Sequence, residues 1–244
     1  MAITNSEHPK FKAYAGHVFY NEGPMGDDPN DHAASCVANL TGANVAKRGK
    51  AGRPIHTVKG ITYCTFKSDA ARLGITPVNH ARFVSMTTDD ATKFLFDIFK
   101  NKPWANTKDS VGLALAETAW GSGDGRVWPT IIDTLNVLQI PTIAKKAKLT
   151  QYTAADKKKL IDQVNKVPEK IFFEAYWQVR YNWLDALGRT PYGSRYRNGW
   201  LRRQREFKDL AAKFFFKYSG LSLFFLVTVA SLIIFRKKIF GRNK

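Results

Sequence analysis

HPKFKAYAGHVFYNEGPMGDDPND, residues 8–31, changes character halfway along, from an apolar pattern to a stretch rich in Gly, Asp and Pro. The first half repeats apolar residues at the spacing of one helical face, namely Phe11, Tyr14, Ala15, Val18 and Phe19. We therefore predict a helix from about residue 8 to residue 21, with Glu22 at its C-terminal edge. Beyond the turn-forming residues 27–30 comes a second acid, Asp31.

Two carboxyl groups across a loop are what glycoside hydrolysis requires. One protonates the oxygen of the leaving sugar, and the other orients water or stabilises the oxocarbenium-like transition state. Glu22 and Asp31 have the residue types for these roles. Taken alone, a Glu and an Asp that flank a turn are more often solvated surface residues, so both interpretations stay open at this point.

A family resemblance begins at these residues. Residues 22–31 (EGPMGDDPND) resemble the E-G-G-Y-V-N-D-P-x-D signature of the glycoside hydrolase family 108 N-acetylmuramidases, which belong to the lysozyme-like superfamily. Four further segments resemble family motifs in the family's order, and the matches together cover about residues 20–205. Residues 57–62 (TVKGIT) resemble its T-x-x-G-I-T motif, and residues 117–123 (ETAWGSG) resemble the end of a family helix. Residues 124–130 (DGRVWPT) resemble a family turn, and residues 197–203 (RNGWLRR) resemble the final G-W-x-x-R motif of a companion peptidoglycan-binding module.

The resemblance implies roles for three residues. Glu22 is expected to be the general acid, Asp31 to position water or stabilise positive charge, and the Thr57 hydroxyl to help hold that water. The chain departs from the signature at Pro24, which replaces the second glycine, and by an apparent insertion, residues 32–56, between Asp31 and Thr57. This insertion could reshape or cover the cleft.

The remaining patterns are mostly helical. Residues 60–66 read as a strand, and Thr87 with Asp90 forms a capping-box pattern that predicts the start of a helix. Further helices are predicted over 109–120, 131–140, 153–167, 168–187 and from 199 onward. We expect a predominantly α-helical α+β protein with a lysozyme-like catalytic domain (1–125) that carries a small β element, a helical peptidoglycan-binding-like module (126–207), and a transmembrane anchor with a basic tail (208–244).

The anchor is predicted from residues 219–235, which are 17 residues without a charge. As a helix they would extend roughly 26 Å, against a hydrocarbon slab of about 30 Å. Five cations follow within residues 236–244, a cluster that suits anionic head groups. No signal peptide is recognised at the start. We expect a single-pass protein of a virion membrane or of the host bacterial inner membrane, and a buried core helix is the alternative.

The distribution of charge and the spacing of the cysteines limit which ligands and partners we expect. The formal net charge is +18, of which residues 201–244 carry +9. The rest is spread without a compact basic motif, so no specific nucleic acid is expected. Cys36 and Cys64 are not spaced as a zinc site, and free or buried thiols are favoured over a single bridge. The five histidines lack metal-ligand spacing, so we expect no metal and no organic cofactor.

Two further sets of residues have two interpretations each. Aromatic residues could stack on sugar rings, although core packing is favoured by their helical spacing: Tyr176, Trp177, Tyr181, Trp183 and Trp200. A group of arginines could grip a phosphate-bearing polymer or head groups, or form a solvated basic face: Arg195, Arg197, Arg202, Arg203 and Arg205.

These expectations combine into a peptidoglycan muramidase. It would cleave the β-1,4 bond between N-acetylmuramic acid and N-acetylglucosamine, as a membrane-anchored phage enzyme that acts on the wall glycan strands at infection or release. One alternative is a lytic transglycosylase, which needs the same acid but uses the sugar's own hydroxyl in place of water. Another is a non-catalytic wall-binding or structural virion protein that keeps the fold.

Overall fold

The computed structural model describes residues 3–23, 25–148 and 151–216. Within these ranges helices dominate and one small sheet accompanies them, which confirms the predicted predominantly helical α+β class. The α-helices are α1 (Pro9–Glu22), α2 (Tyr63–Asp69), α3 (His80–Val84), α4 (Thr88–Lys100), α5 (Asp109–Ser122), α6 (Asp124–Val137), α7 (Ala154–Lys166), α8 (Glu169–Leu187) and α9 (Arg197–Phe216). Short 3₁₀ helices cover His32–Val37, Gly42–Asn44 and Pro103–Asn106.

Helix α1 forms as its pattern predicts. Pro9 occupies the first turn, where its missing N–H is not needed. All five apolar residues of the predicted face are buried: Phe11, Tyr14, Ala15, Val18 and Phe19. Gly23 follows with a φ of +73°, a backbone region that favours glycine, so the helix ends at Glu22. The local sequence thus places a carboxyl group at the tip of a well-packed helix.

The sheet contains three two-residue strands, β1 (Met25–Gly26), β2 (Thr57–Val58) and β3 (Ile61–Thr62), in the order β1-β2-β3 with antiparallel pairing. Lys59 and Gly60 join β2 to β3 with positive φ values of 51° and 80°, as in the tight hairpin turns that favour glycine. The predicted strand over residues 60–66 is wrong beyond Thr62. The Thr62 hydroxyl accepts a hydrogen bond from the Thr65 N–H and so begins α2 instead.

The capping box predicted at Thr87 is present and begins α4, and the structure has a second one at Thr153, which begins α7. The predicted start of a helix at residue 131 is wrong, because α6 begins at Asp124, directly after the Gly123 that ends α5. The segment 124–130, expected to form a turn, is therefore helical. Pro129 lies inside α6, where it costs the helix one backbone hydrogen bond.

One hydrophobic cluster extends from Ile3 to Ala211 and crosses the predicted domain boundary at residue 125. Helix α5 lies at its centre, with ten buried residues, and packs against α1, α6 and α8. Helix α9 packs against α1 and α8, and the Phe207 ring lies 6.1 Å from both Tyr14 and Phe173, between ring centroids. The C-terminal helix is thus joined to the N-terminal one, while the division into modules stays a prediction.

The insertion, residues 32–56, is tied to the rest of the protein at several points. Cys36 and Cys64 form a disulfide between the first 3₁₀ helix and α2, so the favoured interpretation of free thiols is wrong. The buried His80 accepts a hydrogen bond from the Ala46 N–H through Nδ1 and contacts the Ile55 carbonyl through Nε2. Spacing alone did not predict the bridge, because the fold brings the two cysteines together across 28 positions.

The expected single-pass membrane topology requires correction. Across 3–23, 25–148 and 151–216, every helix is too short or too polar to cross a membrane. The predicted anchor, residues 219–235, lies outside the described residues. The membrane localisation predicted from the sequence is therefore not supported.

Candidate active site

The Glu22 carboxyl group is held by two donors from distant helices. Its Oε1 atom accepts a hydrogen bond of 2.8 Å from Trp120 Nε1, on α5, and one of 2.7 Å from Arg203 Nη1, on α9. The side chain remains 28% exposed. Among the described residues Oε2 has no hydrogen-bond partner, so one oxygen of the carboxyl group is fixed by protein donors and the other is left for a ligand.

Arg203 bridges two carboxyl groups. Besides Glu22, it contacts Glu117 on α5 through Nε at 2.5 Å and through Nη2 at 3.2 Å. This forked contact uses the geometry of the guanidinium fully. Glu117 is only 2% exposed, and His17 Nε2 lies 3.7 Å from its Oε1, longer than a hydrogen bond. The two acids of the cluster are therefore in different environments, one buried and one at the surface.

Glu117 cannot serve as the proton donor. Burial alone would raise its pKa, but the charge of Arg203 and the proximity of His17 outweigh burial and hold the pKa at about 2. The group stays a carboxylate at neutral pH. Its role is to hold Arg203 in place, and Glu22 is left as the carboxyl group of this cluster that is open to a substrate.

Gly60 brings the hairpin to the same place. A Cβ atom built on it would lie 2.7 Å from the Trp120 ring and 3.1 Å from Glu22 Cγ, and its φ is +80°. Both the backbone conformation and the close approach require glycine here. The β2–β3 turn therefore packs directly on Glu22 and Trp120, and this contact assembles four separate chain segments around one carboxyl group.

The other predicted site residues lie near the sheet. Thr57 pairs with Gly26 across β1 and β2, and its hydroxyl is 2.9 Å from His56 Nδ1. Asp31 is exposed, and its Oδ1 accepts a hydrogen bond of 2.9 Å from the Ala33 N–H, which caps a 3₁₀ helix. No hydrogen bond joins either residue to Glu22 in the described part of the chain. Their predicted catalytic roles stay predictions.

A cavity of about 160 Å³ lies beside this cluster, with Trp120 as the shared wall. Its lining is mainly apolar, with Asp124 as the acidic residue: Tyr14, Leu95, Ile98, Phe99, Trp104, Ala116, Ala119, Trp120 and Asp124. Ile98, at 38% exposed, is the most accessible apolar residue of this lining. Apolar and aromatic walls next to a carboxyl group suit the apolar face of a sugar ring.

Sequence reasoning missed three members of the cluster. Trp120 and Glu117 lie in segment 117–123 and Arg203 in segment 197–203, both of which were noted for their family resemblance, but no role at Glu22 was assigned to them. The family resemblance of these two segments was the sequence feature that could have indicated a role at the site. Arg203 was instead grouped with a basic face.

The arginines and aromatic residues grouped by sequence separate in the structure. Arg197 and Arg189 both pair with Asp185, and Arg202 lies 3.6 Å from Glu206. Tyr176 is buried, in agreement with core packing. Trp177 is half-buried and donates a hydrogen bond to the Gln204 carbonyl. The predicted basic face is thus mostly a set of local ion pairs.

In the described ranges no group of three or more His, Cys, Asp or Glu side chains could hold a metal ion. The chain matches no known protein family, no curated protein and no solved structure. The geometry around Glu22 is therefore the basis on which function is inferred.

Proposed function

We propose that the chain is a lysozyme-like muramidase that cleaves the β-1,4 bond between N-acetylmuramic acid and N-acetylglucosamine in peptidoglycan, with Glu22 as the general acid. The observation that carries this proposal is that the two oxygens of the Glu22 carboxyl group have different environments. Oε1 is fixed by Trp120 and Arg203, while Oε2 has no partner among the described residues and remains accessible. A carboxyl group held in a fixed position is what this chemistry needs, and Trp120 connects Glu22 to the mainly apolar cavity.

In the proposed reaction the Glu22 Oε2 proton passes to the glycosidic oxygen as the bond from C1 to that oxygen breaks. The electron pair of this bond leaves with the departing sugar, and a water oxygen then bonds to C1 and gives a proton back to the Glu22 carboxylate, which restores the acid. The two donors on Oε1 stabilise the carboxylate that remains after proton transfer. Trp120 and Arg203 are positioning residues in this scheme, and Asp31 with Thr57 are the predicted partners of the water.

A specific observation favours a second candidate, a lytic transglycosylase. Glu117 is committed to Arg203, and Asp31 is exposed and caps a 3₁₀ helix. In the described structure Glu22 thus has no free second carboxylate in contact with it. A transglycosylase needs only the acid, because the sugar's own hydroxyl attacks C1. Mass spectrometry of the products separates the two reactions, since a 1,6-anhydro end forms only in the transglycosylase case.

Lysis of purified sacculi by the full chain tests the proposal. Glu22→Gln keeps the shape but removes the proton donor, and we expect a loss of activity of at least about 100-fold with the circular dichroism spectrum retained. Glu7→Gln is the matched control, because Glu7 forms an exposed ion pair with Lys12. If the Glu22 variant lyses walls as fast as the parent, the proposed acid is wrong. If the parent binds sacculi without lysis, a non-catalytic wall-binding protein replaces both enzymes.

A further inference from the structure

Two arginines near the end of α5 have no carboxylate partner. Arg180, on α8, is only 3% exposed, and Arg126, on α6, is partly buried. Every Asp and Glu of the chain lies within the described residues, and none of them forms an ion pair with either arginine. Burial lowers the pKa of Arg180 to about 10, which still leaves it charged at neutral pH. Glu117 and Asp133 attract these cations without contacting them, and a buried cation without a directly bonded carboxylate is costly to a fold.

Both guanidinium groups lie over the ring of Trp183. The central carbon of Arg126 is 4.0 Å from the ring centroid and that of Arg180 is 4.8 Å from it. Arg180 Nη2 donates to the Ser122 hydroxyl, but Arg180 Nε and Nη1 and also Arg126 Nε are buried donors without a partner in the described structure. Two cations that contact one indole ring thus have three buried N–H donors without a partner.

We propose that Arg126 and Arg180 form a binding site for an oxyanion, a carboxylate or phosphate group, where α5, α6 and α8 meet. An oxyanion supplies the hydrogen-bond acceptors that the two cations lack, together with further negative charge. Glu117 raises the pKa of Arg180 electrostatically but makes no hydrogen bond to it, because Arg203 occupies its carboxylate. The Trp183 ring stabilises the cations through its face but accepts no conventional hydrogen bond from their N–H groups.

Arg126 is the more accessible of the two arginines. The unpartnered donor atoms of Arg180 are covered, whereas Arg126 and Ser122 are only partly buried. Substitution of Arg126 is therefore the first test of the site.

The site is linked to Glu22 through α5. Ser122 follows Trp120 by two residues, and Trp120 donates to Glu22. The anion site stands on its own observations, but the identity of its natural ligand rests on the proposed function. In a muramidase, one source of the oxyanion is the lactyl carboxylate of N-acetylmuramic acid units that carry no stem peptide, and the other is a phosphate of a wall polymer.

Isothermal titration of the full chain tests the site at constant ionic strength. The Glu22→Gln background prevents turnover, and the probes are N-acetylmuramic acid, inorganic phosphate, and N-acetylglucosamine as the sugar without a carboxylate. We expect Arg126→Gln to weaken oxyanion binding by at least about tenfold, and the exposed control Arg202→Gln to leave it unchanged. Binding of N-acetylmuramic acid alone supports the carboxylate source, and binding of phosphate supports the phosphate source. Equal binding by Arg126→Gln and its background overturns the proposal, as does no oxyanion binding at all.

Arg180→Met gives a second readout, which does not depend on sugar chemistry. Removing an unpaired buried charge should leave the melting temperature in anion-free buffer equal to that of the parent or higher. The rise in melting temperature that phosphate causes in the parent should disappear. A large loss of stability in anion-free buffer would show that Arg180 is already satisfied within the fold, and would overturn the proposal. Rapid lysis by Glu22→Gln would overturn the muramidase alone.

Discussion

Arg203 Nη1 donates a hydrogen bond of 2.7 Å to Glu22 Oε1 across 181 positions of sequence. The contact joins the last described helix, α9, to the end of the first, α1. Because the same guanidinium also holds the buried Glu117, the position of the Glu22 carboxyl group depends on the packing of α9 against α1 and α5. The candidate site is thus completed by the C-terminal part of the chain.

Replacing Arg203 should destabilise the protein strongly. Arg203→Gln leaves the Glu117 carboxylate buried without its charged partner, and breaking one side of a buried pair costs about 3–5 kcal/mol of unfolding free energy. Urea denaturation measures this loss. The adjacent Arg202→Gln, which touches only the partly exposed Glu206, should change stability by less than about 0.5 kcal/mol.

A double variant checks the cause. Replacing Arg203 and Glu117 together by Met removes both charges and keeps apolar volume, so most of the lost stability should return. A double variant no more stable than Arg203→Gln would show that the loss comes from packing of the arginine side chain and not from the stranded carboxylate.

The pH dependence of stability should reflect Glu117. Arg203, with His17, holds its folded-state pKa at about 2 against burial, below the ordinary value of 4.5. A depressed pKa contributes stability that is present above about pH 4.5 and is lost as the pH falls toward 2. The contribution is on the order of 3 kcal/mol. Unfolding of Glu117→Gln, measured over this range, should therefore depend less on pH than unfolding of the parent.

Asp97 and Asp156 also have pKa values of about 2 and lose their partners in the same range. Both aspartates are present in the parent and in Glu117→Gln, so the difference in unfolding free energy between these two proteins reports on Glu117 alone. Parallel stability curves for the two proteins between pH 2 and 4.5 would contradict the assignment.

The parts of the fold that sequence predicted are those with local causes. The apolar spacing of α1 and the capping box at Thr87 each act within a few residues, and both are present. The strand predicted over 60–66 was wrong beyond Thr62 because the Thr62 hydroxyl, a single local cap, outweighed β-branched and aromatic propensity.

The environment of Glu22 could not be predicted in the same way. An arginine in an amphipathic helix has the same sequence pattern whether it faces solvent or, like Arg203, a buried carboxylate. Only the packing of α9 on α1 distinguishes the two, and this packing depends on residues nearly two hundred positions apart. The location of Glu22 at the end of α1 could be predicted, because Gly23 ends this helix through a local effect.

Loss of the Cys36–Cys64 bridge should loosen the insertion. The two cysteines are 28 positions apart, and opening a loop of this length costs about 3 kcal/mol of stability in the chain-entropy account. Thermal unfolding of the parent should therefore occur at a lower temperature after reduction. The Cys36→Ser, Cys64→Ser double variant should match the reduced parent and should not respond to reductant. A parent whose unfolding is unaffected by reductant would contradict this.

Gly60→Ala should impair the candidate site through contact as well as backbone strain. The added Cβ would lie 2.7 Å from the Trp120 ring and 3.1 Å from Glu22 Cγ, so the hairpin or the carboxyl group must move. Gly74→Ala is the matched control, since Gly74 has a similar φ of +73° but no atom within 4 Å of its Cβ position. We expect each variant to lose about 1–2 kcal/mol from backbone strain, but only Gly60→Ala to lose lysis of sacculi as well. Equal lysis by both variants would mean that the turn does not position Glu22.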